Sequence, residues 1–273
     1  MTGWRENPLI QRELHYRLRP QPSQRLIILV VVVLCSLAIL LFYWAALENI
    51  QGPESFRDLL TVTLIIEMVL VVAGAPAVTA NAISKEREQR TWDLLTITLL
   101  RPKEIVLGKL LGRVLPFLAL LALGVPMVIL CVLGNPALWL SAVLGMLSVL
   151  ATLALYSAGG LAASCFSRKT VTATALAYLF AGAWVFGTLI LWGLTSLLLP
   201  GISDREATVW LTVNPFAVLE PIIEKFSPRS GYHPTSPDML YTLSPWMLLT
   251  VYSVLTVVLV WVLIATYRQW AYR

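Results

Sequence analysis

Side chains able to do chemistry are scarce in this sequence, and those present do not converge. Histidine occurs only at His15 and His233, and the three cysteines, Cys35, Cys131 and Cys165, lack CxxC spacing and sit in or at the end of apolar runs. There is no HExxH, no aspartate-rich pair and no Ser-His constellation, so neither a hydrolytic site nor a metal centre is expected, and the cysteines read as buried thiols. One ionisable residue, Glu67, falls well inside an apolar run. A carboxyl there normally faces a bundle interior or a wet cavity, which makes Glu67 a candidate for a polar contact between helices or for a transport pathway. The other concentration of polar chemistry is Ser84 to Arg113, which holds seven of the twenty Lys and Arg together with four carboxylates. Its chemistry is that of a charged docking surface.

The elements that position these groups follow from composition. Of 273 residues, 58% are hydrophobic and 13% charged, a balance that disfavours a single soluble core and predicts an all-α polytopic membrane protein. Apolar runs cover residues 26–47, 59–83, 106–133, 137–166, 171–199 and 246–267. Each reaches the ~20 helical residues that cross a hydrocarbon core. Six transmembrane helices are therefore expected, within a single domain of residues 1–273. A β-barrel is disfavoured, because its strands alternate in polarity whereas these runs are continuous. The first run is too long for a signal-peptide core and reads as an uncleaved anchor.

Charge asymmetry orients the bundle. Sixteen of the twenty Lys and Arg fall at the N-terminus, in 84–113, at Arg168-Lys169 and in the C-terminal tail. By the positive-inside rule these faces are cytoplasmic, and so are both termini. The basic character thus reflects topology, and no nucleic-acid partner is expected. Before the first run, residues 7–19 carry Ile10, Leu14 and Leu18 at helical spacing opposite Arg12, His15 and Arg19, the pattern of an amphipathic helix lying on membrane lipids. The outer connection 134–136 is a tight Gly-Asn-Pro turn. Residues 200–245 form a longer outer cap with seven of the sixteen prolines. Its apolar stretch TVWLTVNPFAVLEPII suits a re-entrant or surface-lying helix and a buried part of an outer lobe equally well. Small residues at Ser157 to Ala163, and at Ala173, Ala177, Ala181, Ala183 and Gly187, predict close helix approach.

Within the charged segment, helical propensity continues from the second run through Lys85-Glu86-Arg87-Glu88-Gln89-Arg90, with Glu86 and Arg90 spaced as an i,i+4 pair. Thr91 suits the cap of a second short helix carrying Trp92, Leu95 and Leu99, which Arg101-Pro102 breaks. A cytoplasmic connection needs only a few residues, so this amphipathic, interrupted stretch of 84–105 suits either a docking element or a plain surface helix on the inner leaflet.

Glu86-Arg87-Glu88, then Thr91-x-Asp93-Leu94-Leu95, Pro102, Ile105 and Gly108-Lys109, resembles the cytoplasmic connection of type-2 ABC exporter permeases. Asn7-Pro8-Leu9 with Arg12-Glu13 and Arg19, Arg168 after the fourth run, and Asn214-Pro215-Phe216 are similar to further parts of that family. Many of its members have Gly where Arg90 stands. The resemblance implies a transmembrane half-transporter in a bacterial inner (plasma) membrane, paired with a second permease half as a homodimer or heterodimer. It further implies a coupling helix seated on a cytoplasmic P-loop ABC ATPase. Glu86, Arg87, Glu88, Arg90, Thr91, Trp92, Asp93, Leu94 and Leu95 would make that contact, with Glu86, Arg87, Glu88 and Arg90 supplying polar contacts and Trp92, Leu94 and Leu95 apolar anchors. No GxxxxGK[ST] occurs, so ATP and Mg are expected on the partner subunit, no cofactor on this chain, and no enzymatic role for it. The alternatives are a non-transporting membrane anchor or signalling partner of an ATPase and, further off, an intramembrane lipid-modifying enzyme.

Overall fold

The computed structural model describes residues 52–92, 102–198, 209–219 and 245–267, together with 44, 48, 222, 223 and 269. Among them the regular elements are all helical. The expected helix over 7–19 and, apart from Trp44, the expected span 26–47 lie outside the described residues. Four helices are long and apolar enough to cross a membrane, and a bent pair would make a fifth if it counts as one span. This composition and length are consistent with an integral membrane protein.

Helix α1 runs from Pro53 to Ala80, starting six residues before the expected boundary and stopping three before its end. Proline in the first turn needs no amide donor, and Glu54 there suits the positive end of the helix dipole. Leu60, Leu64, Met68, Val71 and Ala75 recur at helical spacing and are all buried. Pro76 lies inside the helix. In the turn before it, Ala73 O accepts a hydrogen bond from Tyr178 Oη at 2.7 Å, an outside donor at a place where proline perturbs the backbone ladder. After a turn at 81–83, the short helix α2 spans Ser84–Glu88.

The expected continuous span 106–133 is in fact two helices, α3 (Pro102–Leu121) and α4 (Val125–Gly134), bent by 42°. The break has a local cause. Pro126 offers no amide to the preceding turn, and the chain closes the gap with tighter bonds, Gly124 N to Leu121 O at 2.9 Å and Val125 N to Ala122 O at 3.3 Å. Uniform hydropathy across 106–133 conceals it. At the turn that follows, Asn135 Oδ1 accepts from Ala137 N at 3.2 Å, opening a single 3₁₀ turn over Pro136–Leu138. Helices α5 (Trp139–Phe166), α6 (Thr170–Leu198) and, after the short α7 (Val209–Thr212), α8 (Pro245–Ala265) lie within two residues of the apolar runs that announced them.

Helix α5 is the hub, packing against α1, α6 and α8. Its glycines let α1 and α6 come close. A Cβ on Gly145 would collide with Leu64, one on Gly159 would meet Phe180, and one on Gly160 would overlap Thr79 Oγ1 with Pro76 O at 3.3 Å. On α6, Ala173 and Ala177 pack with Ala80, whereas Gly187 meets nothing within 4 Å. The outward faces of α6 and α8 stay apolar, with Leu179, Phe186, Ile190, Val257 and Trp261 exposed, as suits helices solvated by lipid tails.

Beyond α6 the segment leading to α8 folds against the bundle over its described part. Val218, Leu219, Ile222 and Ile223 join the main core. Asn214 organises the turn: its Nδ2 donates to Val185 O at 2.9 Å and Thr188 Oγ1 at 2.7 Å, while its Oδ1 accepts from Phe216 N and Ala217 N. Tyr252 Oη donates to Val213 O at 2.7 Å and accepts from Trp184 Nε1 at 2.8 Å. Residues 209–219 are therefore held between α6 and α8.

The glycine contacts yield a paired expectation. Gly160→Leu forces a side chain into Thr79 and the α1 backbone and should cost about 1–3 kcal/mol, as overpacking does. Gly187→Leu, with open space around it, should leave the thermal unfolding of the detergent-solubilised protein within a degree or two of the parent, a small shift in line with exposed-site substitutions.

Candidate functional site

The polar residues of the charged segment converge on a junction where α1, α2, α3, α5 and α6 meet. At this corner the backbone leaves orphan groups that side chains of α2 and its neighbours satisfy. Ile83 N and Ser84 N, at the start of α2, both donate to Ser164 Oγ of α5, at 2.8 and 2.9 Å. Arg87 Nη1 donates to Cys165 O at 2.6 Å and Ser167 O at 3.1 Å, meeting the carbonyls at the C-terminus of α5. Glu88 Oε1 accepts from Thr170 N at 2.8 Å, and Thr170 Oγ1 donates to the same carboxylate, so an acid stands at the N-terminus of α6. Two consecutive residues of opposite charge thus serve the two ends of the α5–α6 corner, each with the sign that its helix dipole favours.

The link to α3 is an ion pair between Glu86 Oε1 and Lys109 Nζ. Lys109 is only 1% exposed, which makes the pair largely desolvated and its loss costly. One turn further along α3, Arg113 Nη1 donates to Val78 O at 3.0 Å and to Asn81 Oδ1 at 2.5 Å, fastening the end of α1.

This geometry corrects the expected Glu86–Arg90 pair. Helix α2 ends at Glu88, with Thr91 N donating to Glu86 O at 2.9 Å and Arg90 N to Arg87 O at 3.1 Å. These two bonds are the Schellman arrangement, and it requires a left-handed residue at Arg90, whose φ is 55°. Once the helix stops there, Arg90 no longer lies one turn above Glu86, and Lys109 takes the carboxylate. Thr91 Oγ1 also bonds backward, to Glu86 O at 3.2 Å.

Trp92 is 4% exposed and packs among Ala82, Ile83, Ile105, Val106, Leu161, Cys165 and Leu263. The Arg87 guanidinium carbon lies 5.7 Å from the centre of its ring, within range of a cation–π contact. It is therefore an anchor into the membrane domain, whereas an apolar docking contact requires an exposed ring. Asp93, Leu94 and Leu95 lie outside the described residues. The outward face of the element consists of Lys85, Glu88, Gln89, Arg90 and Thr91. Beside it an open groove of about 680 Å³ runs between α2 and the first turns of α6, lined in part by Lys85, Gln89, Thr170, Thr174 and Tyr178.

Glu67 belongs to a different place. It lies midway along α1, deeper than its position in the apolar run suggests, and is 4% exposed. Neither carboxylate oxygen has a hydrogen bond among the described residues, and Asn81 is engaged with Arg113. The side chain rests instead against Gly124, in the break between α3 and α4. No cluster of three or more His, Cys, Asp or Glu able to hold a metal occurs among the described residues.

Sequence reasoning missed Ser164, Thr170 and Arg113 as members of the junction. The only signal for Ser164 and Thr170 is position at or near a helix end, where backbone donors or acceptors go unmet within the helix, whereas Arg113 lies midway along α3 and is marked only by its charge.

The buried ion pair is directly testable. Lys109→Met strands the Glu86 carboxylate and should cost about 3 kcal/mol or more, and adding Glu86→Gln should restore much of the loss, as removing both charges does at buried pairs. Chemical denaturation of the single and double variants in detergent measures both effects.

No protein-family model matches this chain, and no curated protein matches it. Its functional reading stands on the junction and on the residues that compose it.

Proposed function

We propose that the chain is the transmembrane permease subunit of an ATP-driven exporter of the type-2 ABC class. In this reading it has six spans, with both termini on the cytoplasmic side of a bacterial inner membrane. The observation that carries the reading is the way α2 is built. Three consecutive charged residues, Glu86, Arg87 and Glu88, tie a five-residue helix to α3, α5 and α6 respectively, while Lys85, Gln89, Arg90 and Thr91 face outward. A helix needed only as a connection has no use for so many ties. A helix that must pass a push into several spans at once requires them.

The mechanism follows from these attachments. A P-loop ATPase subunit binds the outward face of α2 together with the segment that follows Trp92. Closure of two such ATPase subunits around ATP and Mg displaces the docked element. The displacement passes through Glu86–Lys109 into α3, through Arg87 into the end of α5 and through Glu88 into the start of α6. Trp92, buried beneath, keeps the element from peeling away. The roles read from the sequence are thereby redistributed: Glu86, Arg87 and Trp92 hold the lever to the membrane domain, and Lys85, Gln89, Arg90 and Thr91 present its docking face. Asp93, Leu94 and Leu95 complete that face in this reading. A second permease half supplies the other wall of the pathway. The left-handed backbone at Arg90 supports the family resemblance, since glycine, common there in the family, is the residue that this conformation favours.

The full-length chain purified from its native host should bring with it a protein bearing a P-loop. Lys85→Glu with Arg90→Glu should abolish that association while the permease stays folded. Trp92→Ala should keep the ATPase bound but sever ATP hydrolysis from transport in reconstituted vesicles. A chain that carries no ATPase after mild extraction would overturn the reading, and one that binds it without moving any solute is an anchor. Topology offers a separate check: in a cysteine-free background, a membrane-impermeant maleimide should reach Glu88→Cys only from the cytoplasmic side and Asn135→Cys only from the opposite side.

A further inference from the structure

Glu67 is a buried acid aimed at a hinge. Its carboxyl fills the space where a side chain at position 124 would go: a Cβ built on Gly124 would overlap Glu67 Oε1 and lie 3.0 Å from Cδ, with Leu121 O 3.4 Å away. Gly124 is the last residue of the turn between α3 and α4, where the third apolar segment bends by 42°. With 4% exposure and no hydrogen bond to either oxygen among the described residues, the carboxyl is shielded from water by α1 lying across the break.

No described charged group near this level balances a carboxylate. On α1 the nearest charged residue is Asp58, nine residues back, Glu54 lies farther off, and the nearest cation is Arg57, ten residues back and about 15 Å along the axis at the helical rise. On α3, Lys103, Glu104, Lys109 and Arg113 all precede the break, and the last of them is eleven residues before Gly124. The titratable groups of the other helices packed on α1 are Cys131 on α4, Tyr156 and Cys165 on α5 and Tyr178 on α6, thiols and phenols that supply no positive charge.

We propose that Glu67 is a proton-binding site at the hinge of the broken third segment, holding one proton while α1 covers the break and releasing it to water when the bend opens. The step breaks the carboxylic O–H bond, leaves the electron pair on the carboxylate and passes the proton to a water molecule entering at Gly124; closure reverses it. A neutral acid rests in a dry site without a charged partner, and a lone carboxylate does not. Proton occupancy and hinge angle are therefore linked, and each biases the other by the same free energy. Glycine at 124 is part of the device, since any larger residue would expel the carboxyl. The inference stands on α1, α3 and α4 alone and is independent of an ATPase partner.

The test uses the full chain in lipid nanodiscs and a hydrophobic carbodiimide, which adds to protonated carboxyls in apolar surroundings. Peptide mass spectrometry should find the adduct on Glu67 at neutral pH, and its yield should fall severalfold as the pH is raised. Gly124→Ala, which displaces the carboxyl, should lower the yield at a fixed pH. Infrared spectra should contain a protonated-carboxyl band that Glu67→Gln removes and that titrates with pH. Absence of that band at neutral pH would overturn the proposal, as would an adduct or band that does not change up to the highest pH at which the helices persist. If Glu67→Gln fails to fold, the pH dependence of the adduct on the unaltered chain decides the matter alone.

Discussion

At the α5–α6 corner two long helices leave unmet carbonyls and unmet amides within a few residues of each other, and α2 answers both. Arg87 takes the carbonyls of Cys165 and Ser167, and Glu88 takes the amide of Thr170. Backbone groups at a helix end cost free energy unless something meets them, and lipid tails offer nothing. The position of α2 is therefore set by what α5 and α6 lack. From that placement follow the Ser164 contacts that start α2, the Schellman turn that ends it and the burial of Trp92 beneath it.

The same rule of polar satisfaction operates at the other end of the bundle. Asn214 spends its amide on Val185 and Thr188 and its carbonyl on the backbone of its own turn, and Trp184 and Tyr252 share Val213 O. These bonds hold the described turn between α6 and α8 against both helices without leaving it bare. Glu67 breaks the pattern, with neither oxygen hydrogen-bonded among the described residues. Tyr156 Oη and Ser157 Oγ are likewise buried without a hydrogen bond among the described residues, and Glu67 differs from them in being an acid set against a helix break.

Much of the helical layout was legible in the chain. Three apolar runs delivered α5, α6 and α8 within two residues, because a continuous run of some twenty apolar residues has few other ways to hide its backbone. The small residues of 157–163 were correctly read as a close-approach surface, and the tight turn at 134–136 was visible in Gly-Asn-Pro. The break at Gly124 was not, since hydropathy averages over the one proline that causes it. The stop after Glu88 was also hidden: Lys85 to Arg90 has good helix propensity, and only the left-handed step at Arg90 ends it. Trp92 was read as an outward anchor because amphipathic spacing names a face without saying what that face meets.

By itself the sequence determined that the described elements are apolar helices compatible with a membrane, and where α5, α6 and α8 begin and end to within two residues, since both depend on local hydropathy and backbone satisfaction. It also marked 84–113 as unusual through charge and spacing. Only the tertiary structure decided which groups pair. Glu86 meets Lys109 twenty-three residues on, Arg87 and Glu88 meet residues about eighty positions away, and Glu67 meets a glycine in another segment. Such partners are chosen by which helix ends are brought together in space, and no periodicity within a single segment encodes that choice.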